Sequence, residues 1–193
     1  MLKDKKGAFR SVKFKTEVRA EEGGKKLILR GYPIVFNSPT KVYDWLYGEI
    51  TEVILPNALD GLDLSNVYLL VGHNPDNVLG RTGVNMRLWI DETGLGMECE
   101  LPNTQYARDW YNLIESGIVD GMSIWFEFGD KVNPETLTRT ITKISALYEV
   151  TITPFPAYKE TVVIAADEEN KADDAEINEL LNETEDILKN WED

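Results

Sequence analysis

The chain has 193 residues, a formal net charge of −14, one cysteine and one histidine. A lone Cys99 excludes an intramolecular disulfide and fits a reducing compartment, and one histidine with one cysteine leaves a structural zinc site without its ligands. Residues 1–30 carry ten Lys and Arg against four acids, a net of +6, so the rest sums to −20 and lacks the basic footprint of a duplex-binding protein.

The N-terminus lacks the apolar stretch of a signal peptide, and the longest apolar run, residues 67–71, is too short to span a bilayer. Neither nucleic acid nor membrane is expected as a partner. The length suits one core domain, taken as residues 1–165, with an appendage at 166–193.

In chain order, residues 8–20 alternate Val12, Phe14, Thr16 and Val18 against Lys13, Lys15, Glu17 and Arg19, the pattern of a solvent-edged strand. The turn residues 21–24 and a second strand over 25–36 complete a hairpin, which Pro39 ends. Residues 42–55 predict one more strand, and Pro56 starts a short helix or turn with Asn57 as a cap. Residues 67–71 predict an apolar strand that ends at Gly72-His73, followed by a polar turn over 74–77. Strands are expected over 78–89 and 94–101, joined by a turn at 91–94.

Residues 103–117 predict the one clear helix of the body. Tyr106, Trp110, Leu113 and Ile114 recur at helical spacing, Asn103 or Thr104 caps the start, and Gly117 ends it. A tight Asp120-Gly121 turn leads into a strand with Met122, Ile124, Phe126 and Phe128 on one face and Ser123 and Trp125 on the other. After a loop over 130–137, a long strand is expected over 138–153. Tyr148, Val150 and Ile152 read as its apolar face, opposite Leu147, Glu149 and Thr151, and Pro154 and Pro156 stop it.

Beyond Ala166, twelve acids stand against two lysines, a composition that resists compact folding in its first part. Further on, Ile177, Leu180, Leu181, Thr184, Ile187, Leu188 and Trp191 share one helical face. That stripe could dock on the body, pair with a second copy or bind a partner. Many short strands with one main helix indicate a mainly β fold, a small antiparallel barrel or a sandwich.

Three residues carry candidate chemistry. Ser123 is a small hydroxyl on a rigid strand and reads equally as an ordinary strand serine. His73, the sole histidine, ends an apolar strand beside a glycine, which suits a partly exposed imidazole. Glu149 is a strand glutamate of the kind that faces solvent, or that orients a histidine by accepting its ring N–H. No loop has ligand spacing for calcium or magnesium, and Gly94-Leu-Gly96 lacks the Lys-Ser/Thr ending of a phosphate loop. No metal or cofactor is expected.

Three segments together resemble the tailed-phage prohead (capsid maturation) protease family, relatives of the herpesvirus assemblins. They are Leu69-Leu-Val-Gly-His73 through Leu79-Gly-Arg-Thr82, Glu115-Ser-Gly-Ile-Val-Asp-Gly-Met-Ser123-Ile-Trp-Phe126, and Leu147-Tyr-Glu149-Val-Thr-Ile-Thr-Pro-Phe-Pro-Ala157. The segment Leu29-Arg-Gly-Tyr-Pro-Ile-Val-Phe-Asn37 is similar to the family's first core strand. The likeness covers roughly residues 10 to 165.

The resemblance implies a serine endopeptidase on a small antiparallel β-barrel flanked by a few helices, with Ser123 as nucleophile, His73 as general base and Glu149 as orienting carboxylate. It points to a loop after the third triad residue for the oxyanion donors, here Phe155, Ala157 and Tyr158. Trp125 stands where similar sequences often carry Gly, and would wall or narrow the substrate cleft. Asn74 follows His73 where Asp is common. The implied substrate is the major capsid protein with its scaffolding region, and the protease itself, inside the assembling prohead in the bacterial host. The acidic helical tail would be processed, target the enzyme into the shell or mediate self-association. The alternative is a non-catalytic capsid assembly or scaffold protein that uses the same barrel as a binding module.

Overall fold

The computed structural model describes the backbone of residues 8–21, 24–154 and 164–166, with side chains from residue 26 to 154. The expected first hairpin is present: β1 (Ala8–Glu21) and β2 (Gly24–Val35) pair antiparallel from Phe14↔Gly31 to Glu21↔Gly24. The single strand expected over 42–55 is instead a hairpin of β3 (Thr40–Asp44) and β4 (Gly48–Ile54). Asp44 makes the turn, its Oδ1 accepting the N–H groups of Leu46 at 2.9 Å and Tyr47 at 3.2 Å. A 3-10 turn at Pro56–Leu59 follows; Asn57 lies inside it and does not cap it, since the cap position is Leu55.

The strands β5 (Tyr68–Val71) and β6 (Asn74–Arg81) form a hairpin. The polar turn expected over 74–77 is therefore already strand, and the turn is Gly72-His73. Pro75 is tolerated because β6 is the outermost strand of its sheet. The run 78–89 is broken between β6 and β7 (Met86–Ile90), and β8 (Gly94–Glu100) returns against β7. The joining turn is built by Asp91, whose Oδ1 accepts from the backbones of Thr93 and Gly94 and whose Oδ2 accepts from Tyr32 Oη and Trp89 Nε1.

The helix α1 (Gln105–Glu115) is capped by Thr104, whose Oγ1 accepts from Ala107 N at 3.1 Å. Ala107, Tyr111 and Ile114 are its buried stripe, while Tyr106 is exposed. Gly117, at φ +71, ends it in the left-handed conformation that a helix C-terminus favours, and the chain turns directly into β9 (Gly121–Phe128). The long strand expected over 138–153 is two strands, β10 (Thr138–Ile141) and β11 (Ile144–Thr153), in different sheets. Asp130 fixes the corner between them by accepting from Thr142 N at 3.0 Å and Thr142 Oγ1 at 2.7 Å. A short β12 (Ile164–Ala166) lies parallel to β1.

The larger sheet runs β6-β5-β11-β9-β1-β2-β8-β7, with β12 beside β1; the smaller runs β10-β4-β3. The fold is mainly β, but the sheets do not close into the expected antiparallel barrel. Pairing is mixed, with β5–β11, β10–β4 and β1–β12 parallel. The outer strands are β6 and β7, and in the turn between them the Asn85 side chain takes backbone groups of β6 and β8. Its Oδ1 accepts from Arg81 N at 3.0 Å, and its Nδ2 donates to Leu79 O at 3.0 Å and Glu100 O at 2.8 Å. Two helical elements, not several, flank the sheets among the described residues. The acidic tail expected to be helical lies outside them.

One main core joins the larger sheet to α1. Met122, Ile124 and Phe126 of β9 and Leu147, Val150 and Ile152 of β11 pack with Leu69 and Val71 of β5 and with Tyr111 and Ile114 of α1. A smaller cluster, Val42, Ile50 and Val132, lies with the three-stranded sheet. Fixing β9 and β11 from beneath in this way makes their opposite face a rigid platform.

Candidate active site

The platform is organised by one irregularity in β11. The ladder to β9 pairs Ala146 with Glu127 and Leu147 with Phe126, then shifts so that Glu149 pairs with Trp125. A β-bulge absorbs Tyr148. Without it, Tyr148 would oppose Trp125 and Glu149 would turn into the core beside Ile124. The bulge thus brings Glu149 onto the face that carries Trp125 and Ser123. It also corrects the simple alternation: Leu147 joins Val150 and Ile152 in the core, and Tyr148 does not. Tyr148 instead stacks on Trp125, with ring centroids 5.0 Å apart, and its hydroxyl donates to Glu127 Oε1 at 2.7 Å.

Past the bulge the register is regular. Thr151 pairs with Ser123 on β9 and with Leu70 on β5. Directly opposed residues of paired strands project on the same side, with Cα atoms about 4.5–5.5 Å apart. Glu149, Thr151, Ser123 and Trp125 therefore share one face. Ser123 is only 3% exposed, so its hydroxyl lies at the floor of this face rather than on a rim.

His73 reaches the same face from the β5–β6 hairpin. The pair Val71↔Asn74 closes a two-residue loop, with φ +62 at Gly72 and +57 at His73. Positive φ at both positions suits the twist of a tight hairpin. Histidine visits this region more readily than most residues, yet a non-glycine there still costs on the order of 1–3 kcal/mol. Bonds to β11 hold it: its N–H donates to Thr151 Oγ1 at 3.0 Å, and its Nδ1 lies 2.6 Å from Glu149 Oε1. Gly72 N donates to Ile152 O at 2.9 Å, anchoring the hairpin to β11.

The Nδ1–Oε1 distance also assigns the tautomer. An ionised carboxylate only accepts, so Nδ1 carries the proton and Nε2 is the acceptor nitrogen. The Glu149 side chain is 4% exposed and that of His73 is 24%, so the carboxylate is sealed while the imidazole meets solvent. Among the described residues no partner reaches Glu149 Oε2. A buried carboxylate satisfied on one oxygen gains most from a positive partner on the other side of that bond.

The structure brings His73 and Glu149 into direct contact and sets Ser123 beside the threonine that holds His73. Trp125 flanks Glu149 across the strand pair. Phe155, Ala157 and Tyr158 lie outside the described residues. Thr151 was not singled out by sequence; its only sequence signal is its phase, two residues after Glu149 on the same face. Cys99 is no rival nucleophile. It is wholly buried, and that burial, with Glu100 and Glu98 adding, pushes its thiol up to about 12. Among the described residues there is no cluster of His, Cys, Asp and Glu that could hold a metal ion, and no helix long and apolar enough to cross a membrane.

No curated protein matches the sequence. Among solved structures, the bacteriophage T4 capsid assembly protease, gp21, is similar at 10% identity and a TM-score of 0.49, covering 76% of this chain and 96% of that one. The sequence model for "Caudovirus prohead serine protease" matches residues 14–175, a span that contains His73, Ser123 and Glu149. That match takes in most of the chain, and it makes the chain a peptidase: it belongs to the caudovirus prohead serine protease family.

Proposed function

We propose that this chain is a prohead maturation endopeptidase that works through Ser123, His73 and Glu149. The observation that carries the reading is the 2.6 Å bond between His73 Nδ1 and Glu149 Oε1, on the face where Ser123 stands beside Thr151. In this mechanism His73 Nε2 takes the proton of Ser123 Oγ as the oxygen attacks the scissile carbonyl. The imidazolium is stabilised by Glu149 and gives its proton to the leaving amine. Water then attacks the acyl-enzyme with His73 again as base, releasing the new carboxyl terminus and restoring Ser123. The base contributes about 10²–10⁴-fold, and backbone donors to the oxyanion about 10²–10³-fold. Phe155, Ala157 and Tyr158 are the donors suggested by their position after β11, and Trp125 with Tyr148 would wall the cleft.

Family membership supports the substrate: the scaffolding region of capsid protein, and the protease itself, within the assembling prohead in the host. The acidic tail would direct the enzyme into the shell or be trimmed there, its apolar stripe serving self-association. The test is co-expression with the capsid protein of the same genome, with product termini read by mass spectrometry. Wild type should cut the capsid protein and label covalently with a fluorophosphonate at Ser123, and Ser123→Ala should do neither. Equal cleavage by both forms would sink the nucleophile assignment. Stable co-assembly without cleavage by either form would favour a scaffold role.

A further inference from the structure

We infer that Thr151 is a positioning residue for the proposed reaction: its hydroxyl holds the His73 backbone in the left-handed turn that aims the imidazole between Glu149 and Ser123. The inference rests on the triad reading above and adds a residue to it. Thr151 is wholly buried, at 0% exposure, near the C-terminal end of β11. A buried hydroxyl needs a partner, and the partner here is the His73 N–H, at 3.0 Å. The same residue is in register with Ser123 on one side and Leu70 on the other, and lies two positions from Glu149. It thus ties the histidine's main chain to the strand bearing the acid, directly beside the serine.

The need for such a tie follows from the turn. His73 sits at φ +57, a conformation that is costly for a residue with a Cβ. The Glu149 bond holds the ring at Nδ1, next to Cγ, so the place of Nε2 still depends on the freedom of the main chain. Fixing the backbone N–H as well removes that freedom, so that Nε2 is presented in one place. Misplacement of a reacting group by about 1 Å is enough to cost on the order of 100-fold. A valine at 151 would keep the volume and β-branching of the strand while removing the acceptor, and a serine would keep the acceptor while removing a methyl.

The test compares Thr151→Val and Thr151→Ser in the full chain, using a peptide that spans the capsid scaffold junction as substrate. Thr151→Val should lower kcat by roughly 10–100-fold with KM changed less than about threefold, and Thr151→Ser should restore most of the rate. His73 is the only histidine, so ¹⁵N-histidine labelling reports this site alone. In a Ser123→Ala background, which prevents self-cleavage, the far-downfield Nδ1–H signal of the Glu149 bond should weaken or vanish with Thr151→Val and persist with Thr151→Ser. Equal kcat for Val and Ser, or an unchanged His73 spectrum in the valine variant, overturns the inference. If Thr151→Val does not fold, hydrogen exchange of the His73 amide in the Ser123→Ala protein decides: protection supports the tie, and free-chain exchange refutes it. Retained cleavage by Ser123→Ala would instead refute the triad reading, while the spectra still report on the tie.

Discussion

Glu149 and Glu52 are both buried strand glutamates bonded to a nitrogen base, but their surroundings differ. Glu52, at 0% exposure, accepts from Arg139 Nη1 at 2.9 Å, and Asp44 bonds the other end of the same guanidinium. Arg139 lies 5.1 Å over the Phe128 ring, and it sits directly opposite Glu52 in the β4–β10 ladder. Every member lies on regular strand, and the cation is permanent. Glu149 is reached through a bulge, its partner sits in a left-handed turn, and that partner can lose its charge. The difference teaches what each pair is for. The arginine cluster joins three strands to the main sheet and has no proton to move. The histidine pair accepts backbone irregularity and joins a titratable ring to a buried carboxylate, as the proposed triad requires.

Breaking the two pairs should therefore give opposite phenotypes. The largest effect is expected from Glu149→Gln, which keeps the shape but removes the charge that holds Nδ1–H and stabilises the imidazolium. Its kcat should fall about 10³–10⁴-fold, as for loss of the orienting acid in other serine triads, with thermal stability near wild type. Activity within about tenfold of wild type would mean that Glu149 is a structural acid like Glu52. Next in size is Arg139→Met, which leaves Glu52 buried without its cation. Urea unfolding should show a loss of about 3–5 kcal/mol, and kcat per folded molecule should stay within about twofold. Adding Glu52→Leu should recover much of that loss, because the uncompensated charge goes with it. No recovery would mean that the cluster stabilises through its geometry rather than by avoiding a bare charge.

How much of this was legible in sequence follows from which interactions are local. The strand of Ser123, the helix with its Thr104 cap and the first hairpin all follow from alternation, helical spacing and turn residues, which act within a few positions. The bulge at Tyr148 is set by the β9 partner, so simple alternation placed Tyr148 on the wrong face. The turn at Gly72-His73 was displaced to 74–77 because Asn-Pro-Asp-Asn has turn chemistry, and only the edge position of β6 makes those residues a strand. The split of 138–153 depends on Asp130 capturing Thr142, which no periodicity reveals. That the larger sheet stays open, with β6 and β7 at its edges, is a long-range outcome that no local pattern carries. The candidate site was proposed as three residues in order, because motifs carry identities; the bond from His73 N to Thr151 was not foreseen, because it joins a turn to a distant strand.

A smaller effect separates the two pairs by pH. Asp44 is held below the usual carboxylate range, first by the Leu46 N–H, against an opposing desolvation effect, and further by the Tyr47 N–H and by Arg139. A carboxyl whose folded value is depressed contributes stability that is full above its unfolded value and is lost as pH falls through the folded one. Wild type should therefore lose this contribution on acidification below the ordinary aspartate range, while Asp44→Asn has none to lose. Urea midpoints of the two proteins should differ at neutral pH and converge in acid. The hairpin tip built on Asp44 carries exposed Tyr43, Trp45 and Leu46, so local loosening is readable from Trp45 fluorescence before global unfolding. A constant difference across pH would show that the asparagine effect is one of shape, and that the arginine cluster draws nothing from the charge of Asp44.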